Sequence, residues 1–129
     1  FVYRRFTEIV ETAPSRAGYR RILASAHLEL LDPEGALLHL DRALEASPDE
    51  PALLALRARA IAEAGDRPRA RAFLEEQVER HPKEVRLLLS LARLLHEMGE
   101  REKAEALLER ASAVAPQDPE VRRLRALWQ

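Results

Sequence analysis

The sequence comprises 129 residues, of which 33% are charged and 47% are hydrophobic, and its formal net charge is −1 at pH 7. That balance gives no reason to expect a nucleic-acid partner, which usually requires a basic excess. The chain has no cysteine and no apolar run of the ~20 residues that span a bilayer, which excludes disulfides, thiolate metal sites and a membrane span in this piece.

Prolines recur at a fixed interval along the chain. Pro14, Pro48, Pro82 and Pro116 each lie 34 residues after the one before. Small, apolar and acidic residues keep the same step, in the columns Ala24, Ala58 and Ala92; Ala36, Ala70 and Ala104; Leu40, Leu74 and Leu108; and Asp32, Asp66 and Glu100. Fixed periods of this length indicate a solenoid or another array of repeated units.

Residues 1–16 form the first predicted element, a helix whose apolar side chains include Val2, Phe6 and Ile9. These positions correspond to the second helix of a later unit, so the hairpin partner would lie upstream. Because the chain opens on Phe1 instead of Met, we expect it to be a piece of a longer protein. The apolar edge of this helix would then face an upstream domain or a second copy of the chain.

Three complete helical hairpins follow, and they cover residues 17–50, 51–84 and 85–118. The third shows the pattern most clearly, since Leu88, Leu91 and Leu95 recur at helical spacing. Gly99 supplies the left-handed conformation that ends a helix without a Cβ clash. Pro116 ends the second helix, because proline cannot continue one. The alanine columns would let the two helices of a hairpin approach closely.

Residues 119–129 form the last predicted element, a single capping helix. Asp118 provides its N-cap. Arg122, Arg125 and Gln129 stand where the preceding unit has leucines. A polar outer face is what the terminal unit of an array needs for solubility, so we expect the array to end near Gln129.

These columns resemble those of the tetratricopeptide repeat (TPR) family over essentially the whole chain. The third unit matches the family's signature columns at Leu88, Leu91, Ala92, Leu95, Gly99, Ala104, Leu108, Ala111 and Pro116. The positions that depart from the pattern are Arg20, Leu31, Arg57 and Gln77. Pentatricopeptide repeats are the near alternative, which the proline and small-residue columns disfavour. The resemblance implies an all-α solenoid over residues 1–129, a right-handed superhelix of antiparallel hairpins.

No residue pattern in the sequence indicates catalysis. The four histidines, His27, His39, His81 and His96, form no His-x-x-x-His pair of a helical zinc site. The sequence also lacks a glycine-rich phosphate loop and a nucleophile elbow. We therefore predict that the chain is no enzyme and holds neither a cofactor nor a metal.

The resemblance implies that the first helices of the hairpins line a concave groove for a peptide or helix of a partner protein. The predicted groove residues are Arg21, Ser25, Leu56, Arg59, Arg86, Leu89, Ser90, Arg93, His96 and Arg123. Arginines bind carboxylates bidentately and leucines receive apolar anchors, so the expected ligand is an acidic and apolar segment. Alternatively, the arginines are solvated helix charges, paired with Glu29, Glu63 and Glu97 at ~0–1 kcal/mol each.

Two functions are open at this point. The first is a protein-interaction scaffold that uses the groove. The second is an assembly, oligomerisation or regulatory module of a larger protein, with a homodimer formed through Val2, Phe6 and Ile9. The scarcity of lysine beside arginine suggests a bacterial source, and family analogy then suggests envelope assembly, secretion or polysaccharide export. Both the cytoplasm and the periplasm are compatible with the sequence.

Overall fold

The structure is a computed structural model that describes residues 32–128. Within that range every regular element is an α-helix. The helices are α1 (Pro33–Ala46), α2 (Pro51–Glu63), α3 (Arg67–Arg80), α4 (Val85–Glu97), α5 (Arg101–Val114) and α6 (Pro119–Leu127). Between residues 32 and 128, none of these helices has the length and apolar character needed to cross a bilayer.

Several sequence predictions lie outside the described residues. These are the helix predicted in residues 1–16, the apolar edge of Val2, Phe6 and Ile9, and the groove positions Arg21 and Ser25. α2, α4 and α6 begin at Pro51, Val85 and Pro119. The division of the whole chain into repeats stays a prediction.

Two Asp-Pro pairs begin α1 and α6. The Asp32 carboxylate accepts a hydrogen bond from the Gly35 backbone N–H at 3.1 Å. The Asp118 carboxylate accepts two, from the N–H groups of Glu120 at 2.9 Å and Val121 at 3.2 Å. The proline that follows each aspartate occupies the first turn, where no helical N–H partner is required. These caps satisfy backbone donors that the helix itself leaves unpaired.

Glycines end α2 and α4. Gly65 and Gly99 adopt φ values of +98° and +86°. After Gly99, the Glu100 N–H donates to the Leu95 carbonyl at 2.9 Å, and the Gly99 N–H donates to the His96 carbonyl at 3.1 Å. This is the Schellman pattern of a helix C-terminus. A Cβ at either glycine would have no heavy atom within 4 Å, so backbone conformation, and not lack of space, favours glycine here.

The chain divides into two compact units, which we name the N-terminal unit (residues 1–70) and the C-terminal unit (residues 71–129). In the described part of the N-terminal unit, α1 packs against α2. Their core consists of Ala36, Leu40, Ala43, Leu53 and Ala60, with Leu37, Leu44 and Leu56 partly buried against it. The alanines on this surface allow the helices to approach closely.

In the C-terminal unit, α4 packs against α5, and α5 packs against α6. The buried side chains of α5 and α6 form one stripe on each helix: Ala104, Leu107, Leu108 and Ala111 on α5, and Val121 and Leu124 on α6. α4 is buried more completely, since seven of its residues are inaccessible: Leu87, Leu88, Leu89, Leu91, Ala92, Leu94 and Leu95. The leucines on most of the circumference of α4 are therefore interior, and a narrower face that includes Arg86 and Arg93 reaches the surface.

Two described positions depart from the family pattern. Arg57 lies half-buried on α2, and its Nε donates to the Asp41 carboxylate of α1 at 3.0 Å. This ion pair lets a guanidinium stand at a position that is usually apolar or small. Gln77 on α3 is buried, with 6% of its surface exposed.

Candidate partner-binding face

In the N-terminal unit, the described candidates are Leu56 and Arg59 on α2. Leu56 is partly buried against the core of this unit. The Arg59 side chain is 55% exposed, and its Nε lies 3.6 Å from the Glu63 carboxylate one turn later on the same helix. An exposed i,i+4 pair of this kind contributes only ~0.3–0.5 kcal/mol. Arg59 is thus an accessible cation that is weakly held by its own helix.

In the C-terminal unit, five of the remaining candidates lie on α4, and Arg123 lies on α6. Arg86, Arg93 and His96 reach the surface in whole or in part. Ser90 is half-buried, and its hydroxyl donates to the Arg86 backbone carbonyl at 2.8 Å. The hydroxyl donor is therefore already used in a hydrogen bond within its own helix. Leu89 is only 4% exposed, which places it in the interior and not on a surface that a partner can reach.

The side chains of Arg93, Glu120 and Arg123, which we name the arginine–glutamate cluster, join α4 to α6. Glu120 Oε1 accepts hydrogen bonds from Arg93 Nη1 at 3.0 Å and from Arg123 Nη2 at 2.7 Å. Its Oε2 accepts from Arg123 Nε at 3.1 Å. Arg123 therefore holds the carboxylate with two donors, in the fork geometry that arginine uses for carboxylates. Arg93 holds it with one.

The electrostatics of the arginine–glutamate cluster lower the pKa of Glu120. The hydrogen bond from Arg123 is the largest cause, partial burial acts in the opposite direction, and the positive charges of Arg123 and Arg93 add to the lowering. Glu120 in turn raises the pKa of Arg123. The Glu120 carboxylate is consequently ionised at neutral pH, and Arg123 remains a cation.

A second contact joins the same two helices at the end of α6. The rings of His96 and Trp128 stack with their centroids 4.4 Å apart and their planes 1° from parallel. Trp128 is the C-cap residue of α6, and its backbone N–H donates to the Leu124 carbonyl at 2.9 Å. α6 is thus attached to α4 near both of its ends, by the ion pair at Glu120 and by the stack at Trp128.

The sequence places Glu120 at a groove position of the last helix and Trp128 on its packing stripe, but neither is among the predicted partner-binding residues. The only sequence signal for Glu120 is its column, since it follows Arg86 by 34 residues. Trp128 carries no comparable signal, because an aromatic residue near a helix end is as easily a packing residue.

The exposed arginines retain the capacity to bind an anion. Arg93 and Arg123 are 44% and 61% exposed, and Arg93 uses only Nη1 for Glu120. No salt bridge to Arg86 is present between residues 32 and 128. Free guanidinium N–H groups accept carboxylate oxygens in a planar, bidentate manner. In the same range, no group of three or more acidic or histidine side chains is arranged to hold a metal ion.

Two family models of the tetratricopeptide repeat match the sequence. One matches residues 61–127, and the other matches residues 4–51 and 21–85. The chain belongs to the tetratricopeptide repeat family. TPR repeats are typically non-enzymatic and bind protein or peptide partners, so the coarse function of this TPR chain is that of a protein-interaction scaffold.

Solved TPR structures share the fold. The thermophilic TPR protein TTC0263 of Thermus thermophilus is similar with a TM-score of 0.84 and 24% identity, over 98% of this chain and 70% of that one. YrrB, described as a TPR protein with an unusual peptide-binding site, has a TM-score of 0.72 and 18% identity, over 96% and 64% of the two chains. The first TPR domain of human RPAP3 has a TM-score of 0.72 and 16% identity, over 89% and 91%.

These similarities establish the fold class, which is the all-α solenoid of TPR hairpins predicted from the sequence. At these identities they show the fold alone. No curated protein matches the sequence.

Proposed function

We propose that this TPR chain is a scaffold that binds an acidic and apolar segment of a partner protein on the exposed faces of α4 and α6, the first helices of its C-terminal unit. The observation that supports the proposal best is the pair Arg86 and Arg93 on α4, together with Arg123 on α6, which shares the Glu120 carboxylate with Arg93. All three guanidinium groups reach solvent. Clustered arginines of this kind attract and orient carboxylates.

The spacing of the two α4 arginines suits a peptide ligand. Arg86 and Arg93 are seven residues apart, which is about two helical turns or ~10 Å along the axis. A segment in the polyproline II conformation rises ~3.1 Å per residue with about three residues per turn, so acidic side chains three residues apart lie on one side and span roughly the same distance. A helical partner matches it with acidic side chains seven residues apart. Either form presents two carboxylates to the two arginines.

The apolar part of the ligand has candidate contacts in the same unit. The stacked rings of His96 and Trp128 are half-buried, and Leu127 beside them is 63% exposed. Aromatic and arginine side chains are enriched among residues that dominate binding energy. The face therefore offers a cationic part at Arg86 and Arg93 and an aromatic part at His96 and Trp128.

The helices hold these side chains in place before a partner arrives. α6 packs against α5, and the His96–Trp128 stack attaches it to α4. A surface that is already ordered loses less conformational entropy on binding, so more of the contact energy appears as affinity.

The proposal is tested with the double variant Arg86→Glu/Arg93→Glu. The probe is a fluorescein-labelled 12-residue peptide of glutamate and leucine with an amidated C-terminus, and binding is followed by fluorescence anisotropy. We expect the affinity to fall at least ~10-fold, because two attractive charges become repulsive. Binding by the unmodified chain should weaken as salt is added, since exposed charges are screened.

The matched control is Arg101→Glu/Arg122→Glu, which makes the same change of net charge at exposed positions of α5 and α6. It should lose no more than ~2–3-fold in affinity, through the long-range field alone. Helicity by circular dichroism should be equal in both variants. Equal peptide binding by the two double variants would remove the α4 face from consideration.

A further inference from the structure

Glu120 occupies the place on Arg93 and Arg123 that a carboxylate from another molecule would take. Its two oxygens accept three hydrogen bonds from the two guanidinium groups, at 2.7 to 3.1 Å. This is the arrangement by which arginine recognises a carboxylate in a ligand. The chain therefore supplies, from its own last helix, a copy of the group that the proposed function assigns to the partner.

In the preceding repeat, the position equivalent to Glu120 holds a basic residue. Glu120 is the second residue of α6, and Arg86 is the second residue of α4. The two are 34 residues apart. The second position of α4 thus holds a cation, Arg86, and the second position of α6 holds an anion, Glu120. That anion bonds to Arg93 and Arg123, two of the three arginines on which the proposed binding depends.

We propose that Glu120 is an intramolecular competitor that limits the affinity of this face for acidic segments. The inference rests on the proposed function of the same face. A ligand carboxylate that approaches the remaining N–H groups of Arg93 comes close to the Glu120 carboxylate, and like charges repel at that range. A ligand carboxylate that takes the present place of Glu120 must first displace it.

Displacement is feasible because the cluster lies at the surface. Arg93 and Arg123 are 44% and 61% exposed, and exposed ion pairs are weak. When a ligand with a single carboxylate displaces Glu120, one weak ion pair replaces another, so little binding free energy is gained. A ligand with a second carboxylate for Arg86 gains a pair that Glu120 does not oppose. The competitor consequently selects segments with at least two suitably spaced acidic residues over singly charged ones.

The test compares Glu120→Gln with Glu109→Gln. Both variants remove one negative charge, but Glu109 lies on α5 and faces Arg125 at 3.9 Å, away from the cluster. We expect Glu120→Gln to raise the affinity for the glutamate–leucine peptide roughly fivefold at low salt, and Glu109→Gln to raise it less than ~2-fold. Glu120→Ala should raise the affinity as Glu120→Gln does. For a glutamine–leucine peptide, neither substitution should raise the affinity above that of the unmodified chain.

The opposite role for Glu120 is that of a positioning residue, which holds the Arg93 guanidinium in a productive orientation. Under that role Glu120→Gln and Glu120→Ala would weaken peptide binding, and this result would overturn the inference. An affinity gain no larger than that of Glu109→Gln would overturn it as well.

The outcome also separates this inference from the proposed function. If Arg86→Glu/Arg93→Glu abolishes binding while Glu120→Gln has no effect, the α4 face binds acidic segments and the competitor is refuted. If the unmodified chain and Glu120→Gln both fail to bind the peptide, the proposed function and the inference are refuted together.

Discussion

Arg59 and Arg93 stand 34 residues apart, at the same place on two first helices, but they form different ion pairs. Arg59 in the N-terminal unit pairs with Glu63 on its own helix, with 3.6 Å between the charged atoms. Arg93 in the C-terminal unit pairs at 3.0 Å with Glu120, which lies on another helix. Glu97 stands at the i,i+4 position relative to Arg93, as Glu63 does to Arg59, so the local sequence is equivalent.

The difference follows from residues that lie far along the sequence. Counting 27 residues onward from Arg93 reaches Glu120, whereas the same count from Arg59 reaches another arginine, Arg86. A repeat column therefore fixes where a side chain stands on its helix. The pairing of Arg93 depends on a carboxylate that another helix supplies, Glu120 on α6.

The largest effect is expected where the two units agree, in the small-residue column. Ala58 and Ala92 are 2% and 0% exposed. A leucine at either position overpacks the interior, which typically costs about 1–3 kcal/mol of unfolding free energy. Urea denaturation of Ala58→Leu and Ala92→Leu should show losses of this size in both variants.

The control for this pair is Ala113→Leu on α5, whose side chain is exposed and where a change below ~0.5 kcal/mol is expected. If only one of the buried substitutions were destabilising, the two positions would not be structurally equivalent, and the 34-residue register would fail as a guide to packing.

A smaller effect is expected where the units differ. Arg93→Ala removes one of the two links between α4 and α6, and an exposed pair is worth up to ~1 kcal/mol. Hydrogen exchange of the α6 amides should accordingly speed up by as much as about fivefold. Arg59→Ala, whose pair lies within α2, should leave α6 unchanged. Equal exchange of α6 in the two variants would mean that the Arg93–Glu120 pair does not hold the last helix.

Local features of the fold were predictable from the sequence because each depends on neighbouring residues. Asp118 caps α6 through its own side chain, and Gly99 ends α4 because its φ is positive. The small columns at Ala58 and Ala92 are buried as their spacing predicts. Capping, turns and helical periodicity act over a few residues, so their signals survive in a single sequence.

The candidate site was less predictable for two physical reasons. Leu89 belongs to a helix with leucines on most of its circumference, so periodicity does not separate its buried residues from its exposed ones. The pairing of Arg93 with Glu120 and the stack of His96 on Trp128 join different helices. Such contacts depend on side-chain reach between elements, which the columns of one repeat do not encode.

The smallest effect concerns the protonation of Glu120, whose pKa is lowered chiefly by the hydrogen bond from Arg123. Since the folded state binds this proton less tightly than the unfolded state, the pairing stabilises the fold above the unfolded pKa. That contribution is lost as the pH falls through the lowered folded pKa, in the acid range. A ¹³C NMR titration of the Glu120 carboxyl should show a midpoint below the ordinary value for glutamate.

Two variants identify the cause of that shift. Arg123→Ala should raise the Glu120 midpoint more than Arg93→Ala does, because the hydrogen bond from Arg123 is the larger cause. An unchanged midpoint in Arg123→Ala would remove this hydrogen bond as the explanation. The same resonance also reports on competition, because a bound acidic peptide that displaces Glu120 takes away both of its guanidinium partners. In such a complex, the titration midpoint of Glu120 should rise toward the ordinary pKa of glutamate. A peptide that binds elsewhere would leave this midpoint low.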